Sequence, residues 1–342
     1  MRELWPLERG VIFLNHGSFG ACPAEVLRQQ AALRDEMEAA PVRFLSRELD
    51  DRLASARQAL PAFVGADPDD LAFVANATGG VNAVLRSLRF SPGDELLTTD
   101  HAYNACRNAL DFAAGRAGAR VLVDGAHAPG MVPLDLGALG AAYYSGNCHK
   151  WLCAPKGSAF LWVRRDRQPD IRPLTISHGA SAARPGRSRF RLEFDWTGTD
   201  DPTAWLAVPG AIEYLGSLLP GGWPELMARN RALALEARRL LCAATGTAPP
   251  CPEEMVGALA SIILPDGPTT EIGWRRPDPL QRRLYDGWDI EVPVMSWPAA
   301  PRRLVRISAQ LYNAPADFER LAEALRRELA AERDARDSPG SG

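Results

Sequence analysis

The chain has 342 residues but only two lysines, and both lie in one short stretch, GNCHKWLCAPKG, at residues 146–157. All the other cationic residues among its 39 Lys and Arg are arginines. Arginine stays protonated and cannot act as a nucleophile, whereas a desolvated lysine can lose its proton and condense with a carbonyl. The stretch therefore predicts a lysine that forms an imine, and the alternative is that both lysines are ordinary surface cations.

Two further stretches carry groups that could bind a cofactor beside such a lysine. In NATGGVN, residues 76–82, small residues at a predicted helix start free backbone N–H groups for an anion, and Thr78 adds a hydroxyl, although simple capping explains them too. In VDGAHAPG, residues 123–130, Asp124 closes an apolar strand, where a carboxylate needs a protonated ring nitrogen or a structural arginine. An anion site, a carboxylate and an imine-forming lysine are together what pyridoxal 5'-phosphate (PLP) requires.

Alternating strands and helices position these groups. The sequence predicts strands at residues 71–75 and 94–100 with a helix after each, and further short strands before Asp124 and on both sides of the lysine stretch. This order predicts an α/β protein with a mainly parallel sheet covered by helices, whose ligands lie at the carboxyl ends of the strands. The candidate side chains just beyond those ends are Thr78, His101, Asp124 and Lys150.

The second half of the chain predicts a smaller α+β domain. A long helical pattern begins at Trp223, and a closing helix runs from Pro315 to about Leu329. Three strand-like apolar segments lie between them: ALASIILP, WDIEVPVM and RLVRISA. We therefore expect four parts: an N-terminal segment that lines the active site (1–20), a large PLP-binding domain (21–220), a small C-terminal domain (221–332) and a flexible tail (333–342).

Composition narrows the class of protein. A net charge of −3 gives no basis for a nucleic-acid partner or a membrane surface. We find neither an apolar run of transmembrane length nor a secretory signal, so we expect a cytoplasmic protein. Six cysteines scattered through a large chain do not predict a disulfide scaffold, and the spacing of Cys148 and Cys153 does not predict a metal site.

Seven stretches carry a family resemblance: FLNHGSFGACP, FVGADPDDLAFVANATGGVN, TTDHAYNA, VDGAHAPG, HKWLCAPKGSAFL, GTDD and VRISAQLYN. Together they resemble the class V aminotransferase-fold PLP enzymes, and most closely the isopenicillin N epimerase-like branch, over residues 11–330. The resemblance implies the type I fold of PLP-dependent transferases, with a mainly parallel sheet between helices and a smaller α+β domain. It also implies roles for individual residues.

Three residues would carry the chemistry in this resemblance. Lys150 would hold the internal aldimine of PLP, Asp124 would pair with the pyridinium nitrogen, and His127 would lie near the phenolic oxygen of the cofactor. The cofactor phosphate would be bound by four further residues: Ala77, Thr78, Asn147 and His149. Either His101 or Tyr103 would stack on the cofactor ring.

The resemblance also implies a substrate site and a dimer. Arg306 matches an arginine that grips the α-carboxylate of a substrate, a task that suits its planar guanidinium. Asn15 and His16 would line the substrate pocket. Gly198 and Thr199 match a pair that reaches the phosphate in the partner subunit, which implies a homodimer.

One departure from the family lies between the helix RNALDFAAGRAGAR and the strand VLVDGAHAPG. Relatives have additional sheet there, but in this chain Gly118 is followed almost at once by the strand, and a crossover needs a dozen or more residues. Compared with the family that the chain resembles, and judged by the size of a βαβ unit, roughly fifty residues are missing. We expect the large domain to be shortened near 118–121, which would remove one or two central strands and weaken cofactor binding or activity.

The resemblance implies an enzyme that acts at the α-carbon of an amino acid or an amino-acid-derived substrate. Released Lys150 would remove the α-proton, and return of the proton from the opposite face would complete an epimerisation. A C–S lyase or an aminotransferase passes through the same carbanion, so both stay open. A cysteine desulfurase is disfavoured because no cysteine lies between Asp278 and Arg306. The alternative of another class is a degenerate, non-catalytic dimeric family member.

Overall fold

The computed structural model describes residues 1–88, 105–106, 108–110, 122–269 and 277–337. The chain forms two compact units. One contains Met1–Ala21 together with Trp223–Gly342, and the other contains Cys22–Gly222. The N-terminal segment that we expected to line the active site therefore belongs to the same unit as the C-terminal half. Within the described ranges, no helix is both long enough and apolar enough to cross a bilayer.

The unit of Cys22–Gly222 is built on a four-stranded sheet. Its strands, in chain order, are β2 (Leu71–Val74), β3 (Leu122–Asp124), β4 (Tyr143–Asn147) and β5 (Ala159–Val163), and they lie in the order β2-β5-β4-β3. β3 and β4 are parallel, whereas β5 runs antiparallel to both of its neighbours. Three of the four described strands thus point the same way. The predicted strand at 94–100 lies outside the described residues.

Helices cover this sheet. They are α2 (Ala24–Ala39), α3 (Leu49–Val64), α4 (Ala77–Ser87), α5 (Arg189–Asp195), α6 (Thr203–Leu206) and α7 (Val208–Ser217), with a π-helical stretch at Arg43–Glu48 before α3. Residues 105–106 and 108–110 are helical as well. Buried side chains of β2, β4, β5 and α5 form one core, which includes Val74, Tyr143, Leu161 and Phe190.

Helix α4 begins where the sequence predicts it. The side chain of Asn76 accepts the N–H of Gly79, which satisfies one of the donors that a helix start leaves unpaired. Val81, Val84 and Leu85 recur at helical spacing and are all buried. This periodicity fixes which face of α4 packs inward, so the start of the helix is held at the end of β2.

The second unit contains a three-stranded antiparallel sheet in the order β6-β9-β8, with β6 at Leu259–Leu264, β8 at Val294–Ser296 and β9 at Arg303–Ser308. A separate parallel pair joins β1 (Ile12–Phe13) to β7 (Ile290–Glu291). The helices are α1 (His16–Phe19), α8 (Gly222–Thr245), α9 (Pro279–Trp288) and α10 (Pro315–Asp337).

Two elements of this second unit differ in extent from their predictions. The closing helix α10 continues to Asp337, eight residues beyond the predicted end at Leu329. The segment WDIEVPVM forms two short strands, β7 and β8, instead of one. Pro293 lies between them, and proline cannot donate a hydrogen bond to a ladder, so the strand divides there. Leu14, Ile262, Val305 and Leu325 belong to the core of the unit.

Candidate active site

The lysine stretch forms a tight loop between β4 and β5. Its backbone is fixed by hydrogen bonds from the N–H groups of Cys148 and His149 to the Ser158 carbonyl and from Cys153 N–H to the Lys150 carbonyl. Lys150 is only 9% exposed, whereas Lys156 is exposed. Of the two lysines, Lys150 is therefore the one whose amine is removed from bulk water, as an imine-forming lysine requires.

The turn after β3 brings His127 to this lysine. His127 Nε2 lies 3.0 Å from Lys150 Nζ, and the indole N–H of Trp151 donates to His127 Nδ1 at 3.3 Å. Gly130 closes the turn with φ +83°, and a Cβ at this position would lie 2.6 Å from the carbonyl carbon of Trp151. Only glycine allows this left-handed backbone to approach the lysine loop so closely.

Asp124 ends β3 at the same edge of the sheet as the end of β4. Its carboxylate accepts the N–H of Ala126 at 3.1 Å and the thiol of Cys106 at 2.9 Å. We expected Asp124 to be buried and therefore to need a neighbouring cation. Asp124 is exposed instead, so water solvates its charge and no such cation is required. Its charge is available to a ligand at the carboxyl ends of the strands.

Cys106 is buried and donates to one of the two charged residues of the site, Asp124. Burial and the neighbouring Asp124 carboxylate raise the pKa of Cys106 to about 12, while the charge of Lys150 acts in the opposite direction. Burial, and to a smaller extent the Asp124 charge, also raises the pKa of Tyr144, whose hydroxyl donates to the Gly125 carbonyl. The charges of both Asp124 and Lys150 thus act on the Cys106 thiol.

The start of α4 lies beside the end of β4. Asn147 is 5% exposed, and its side-chain oxygen accepts the N–H of Ala77 at 2.8 Å. A Cβ on Gly80 would lie 2.2 Å from the Ser145 hydroxyl, so glycine lets the helix and strand approach each other closely. The predicted phosphate residues Ala77, Thr78 and Asn147 are brought together here. Because Asn147 already accepts the Ala77 N–H, an anion at this helix start would have to compete with Asn147 for that donor.

His149 lies next to Lys150 in the sequence but faces its own loop. Its Nδ1 is 2.9 Å from the Ser158 carbonyl, which can only accept, so Nδ1 carries a proton. Burial lowers the pKa of His149, and the charges of Lys150 and Lys156 lower it further. In its neutral form this ring has no proton on Nε2, so a hydrogen bond from Nε2 to a phosphate requires the imidazolium.

The predicted substrate residues lie in the other unit. The Arg306 guanidinium donates to Ser18 Oγ at 3.1 Å, the Ser18 hydroxyl donates to Asn15, and Asn15 donates to Glu291 at 3.2 Å. This chain of contacts orients Arg306, which is half-buried on β9. His16 is completely buried, with Nδ1 3.0 Å from the Tyr312 hydroxyl.

The remaining predicted residues are placed differently. Gly198, with φ +129°, and the exposed Thr199 lie on a bend after α5, where a Cβ on Gly198 would meet no atom within 4 Å. His101 and Tyr103 lie outside the described residues. Within the part of the chain that the structure describes, no cluster of three or more His, Cys, Asp or Glu side chains is suited to a metal ion.

Three residues of these networks were not predicted from the sequence: Trp151, Cys106 and Ser18. Trp151 directly follows Lys150 in the sequence. Because the N–H of a buried tryptophan usually finds a hydrogen-bond partner, this residue could have been proposed as part of the site. Cys106 and Ser18 are recognisable only after folding, because their partners lie 18 and 288 residues away in sequence.

The site combines a buried lysine, a neighbouring histidine and a carboxylate at the sheet edge, and this combination is typical of a PLP-dependent enzyme. The Aminotransferase class-V family profile matches residues 13–121 and 106–247, and the chain belongs to this family of PLP-dependent enzymes. The two matches overlap at the place where we expected a missing segment.

Curated relatives agree with this membership. Isopenicillin N epimerase of Amycolatopsis lactamdurans is 32% identical over 398 residues, with 95% of this chain and 97% of the relative covered. The probable chloroplastic L-cysteine desulfhydrase of Arabidopsis thaliana is 26% identical, with 91% and 82% covered. The alignment to the epimerase is longer than the 342-residue chain, so the relative has residues without a counterpart here.

Solved structures share the fold. The apo cysteine desulfurase of Thermococcus onnurineus NA1 superposes with a TM-score of 0.78 at 16% identity and covers 96% of this chain and 97% of its own. A structure of C-DES with glycine covalently linked to PLP gives 0.75 at 19% identity and covers 95% and 99%. These likenesses confirm the expected α/β fold of type I.

The donor set fits PLP. Lys150 provides a buried amine for the aldehyde, and the Asp124 carboxylate matches a protonated ring nitrogen. The start of α4, with Thr78 half-buried, provides a helix N-terminus for the phosphate. The bound cofactor supplies an electron sink for the pair left when a bond at the substrate α-carbon breaks.

Proposed function

We propose that this PLP-dependent enzyme epimerises an amino acid or an amino-acid-derived substrate at its α-carbon. The observation that carries the proposal is the 32% identity to an isopenicillin N epimerase over 95% of the chain, together with a lysine that is buried at the predicted position. A second isopenicillin N epimerase, from Streptomyces clavuligerus, is 30% identical over 93% of the chain. Both relatives are named as epimerases of isopenicillin N.

In this proposal each described residue has a defined task. Lys150 binds the cofactor and, once released by the substrate amine, takes the α-proton as general base. Asp124 keeps the cofactor ring protonated, which stabilises negative charge at the α-carbon. His127 donates a hydrogen bond at the oxygen next to the aldehyde carbon, and Arg306 binds the substrate carboxylate.

The organisation of the molecule is part of the proposal. Residues 21–220 are the PLP-binding domain, and the small domain begins at residue 221 and includes helix α10 to Asp337, so the tail is shorter than the predicted 333–342. The substrate is an amino-acid-type molecule, and the working form is a homodimer in which Gly198 and Thr199 reach the phosphate of the partner subunit. That the enzyme works in the cytoplasm stays a prediction from composition.

A C–S lyase is the second candidate. It is favoured by the similarity to L-cysteine desulfhydrases, 26% identical over 91% to 94% of the chain, and it needs no thiol near Arg306. In a lyase, a substituent leaves the β-carbon of the substrate after the α-proton is removed, and the proton does not return to the α-carbon. An aminotransferase differs only in where the proton returns, and a non-catalytic dimer is the remaining alternative.

One experiment separates these functions. The purified enzyme is incubated with PLP and a panel of L- and D-amino acids in deuterated water, and α-proton exchange is followed by NMR while chirality, sulfide and oxo acids are measured. Exchange with loss of optical activity supports an epimerase, whereas pyruvate and sulfide from cysteine support a lyase. An oxo acid formed with the aminated cofactor supports an aminotransferase. Absence of exchange with every substrate, despite bound PLP, contradicts the proposed catalysis.

A further inference from the structure

Trp151 and His127 form a contact whose hydrogen positions follow from chemistry alone. An indole N–H can only donate, so the 3.3 Å contact requires His127 Nδ1 to accept. A neutral imidazole whose Nδ1 accepts must carry its proton on Nε2. Trp151 therefore selects one of the two tautomers of His127, and it opposes a second proton on the ring because Nδ1 is occupied.

The selected proton points toward the catalytic lysine. His127 Nε2 is 3.0 Å from Lys150 Nζ, and with a proton on Nε2 the contact is a hydrogen bond only if the amine accepts. An ammonium has three donors and no lone pair, so the contact favours the neutral amine of Lys150. The neutral amine is the form that attacks an aldehyde.

We propose that Trp151 is a positioning residue that fixes His127 as the Nε2–H tautomer, so that His127 serves as a hydrogen-bond donor and not as a base. The inference deepens the proposed function and rests on it only for the donor role at the cofactor. A ring nitrogen that already carries a proton cannot take one from a substrate α-carbon, so of these two residues Lys150, and not His127, is the base.

Burial and packing support a fixed contact. Trp151 is completely buried, and its backbone carbonyl carbon lies against Gly130 at the end of the turn that carries His127. The Trp151 ring is therefore held by its surroundings, while His127 is half-buried beside it. The charge of Lys150 also acts on Cys106 and His149, whereas the hydrogen bond to His127 Nδ1 comes from the Trp151 indole.

The tautomer can be measured directly on the full chain. Protein labelled with ¹⁵N at its five histidines is studied by two-bond ¹H–¹⁵N correlation, and the His127 signals are assigned by their loss in His127→Gln. The expected wild-type result is a neutral ring with the proton on Nε2. A wild-type ring with its proton on Nδ1 overturns the proposal, and this readout needs neither substrate nor activity.

Trp151→Phe removes the N–H while keeping an aromatic ring. We expect its His127 signals to shift toward a mixture of tautomers and the rate of lysine–PLP linkage, followed by visible absorbance, to fall roughly 3- to 10-fold, the size of one lost hydrogen bond. An unchanged tautomer in a folded Trp151→Phe protein contradicts the proposal. If this variant does not fold, the wild-type spectrum still decides.

Trp205→Phe is the matched control. The Trp205 indole also makes a 3.3 Å hydrogen bond, to the Val74 carbonyl, in the same unit, and its ring stacks on Phe73. The control should leave the His127 tautomer as in the wild type. A protein that shows the Nε2–H tautomer but exchanges no α-protons keeps this inference and refutes only the proposed function.

Discussion

Replacement of Gly130 by alanine tests whether close packing of the turn after β3 holds His127 next to the lysine loop. Gly130 has φ +83°, and a Cβ there would lie 2.6 Å from the Trp151 carbonyl carbon and 2.7 Å from Leu152 N. The backbone conformation costs an alanine about 1 kcal/mol. Overlap with backbone atoms adds about 2 kcal/mol, because a backbone cannot rotate aside as a flexible side chain can. We expect Gly130→Ala to lower the free energy of unfolding by about 3 kcal/mol and to displace His127 from Lys150.

Gly140→Ala provides the control for this prediction. Gly140 has φ +71°, but a Cβ there meets no atom within 4 Å, so only the backbone cost of about 1 kcal/mol applies. The assays are urea denaturation of both variants and titration with PLP, followed by the visible band. Equal losses of stability, or wild-type PLP affinity in Gly130→Ala, would refute the close approach of the turn.

Three further outcomes follow from the site. Lys150→Ala should abolish the visible band with PLP while Lys156→Ala retains it, because only Lys150 is buried, and a retained band in Lys150→Ala contradicts the assignment. Cys106→Ala should weaken PLP binding about 2- to 10-fold by removing the thiol that donates to Asp124, measured as the PLP Kd at equilibrium, whereas Cys251→Ala, a thiol of the other unit, should not. Burial lowers the pKa of His149 in the folded protein. As the pH drops below about 6.5, the unfolded chain therefore protonates His149 more readily than the folded chain, and the free energy of unfolding should fall. His149→Gln should flatten that pH dependence of urea unfolding, and an equally steep curve would exclude His149 as its source.

Much of the fold could be predicted from local patterns. The helical spacing of Val81, Val84 and Leu85 and the apolar run before Asn147 depend on neighbouring residues, so α4 and β4 were predicted near their observed positions. The division of the last apolar segments at Pro293 was missed, although proline is itself a local signal. The family profile matches the chain in two pieces that overlap at residues 106–121, the region in which the short distance after Gly118 predicts a deletion.

The sequence by itself determined which residue could be the nucleophile, because only lysine offers an amine that can lose its proton, and only two lysines are present. It could not decide between them by composition, and it gave Trp151 and Cys106 no role. Tertiary structure decided that Lys150 is buried and Lys156 exposed, that Trp151 donates to His127 and that Cys106 donates to Asp124. These facts depend on packing between segments that are distant in the chain, and local residue patterns carry no information about such distances.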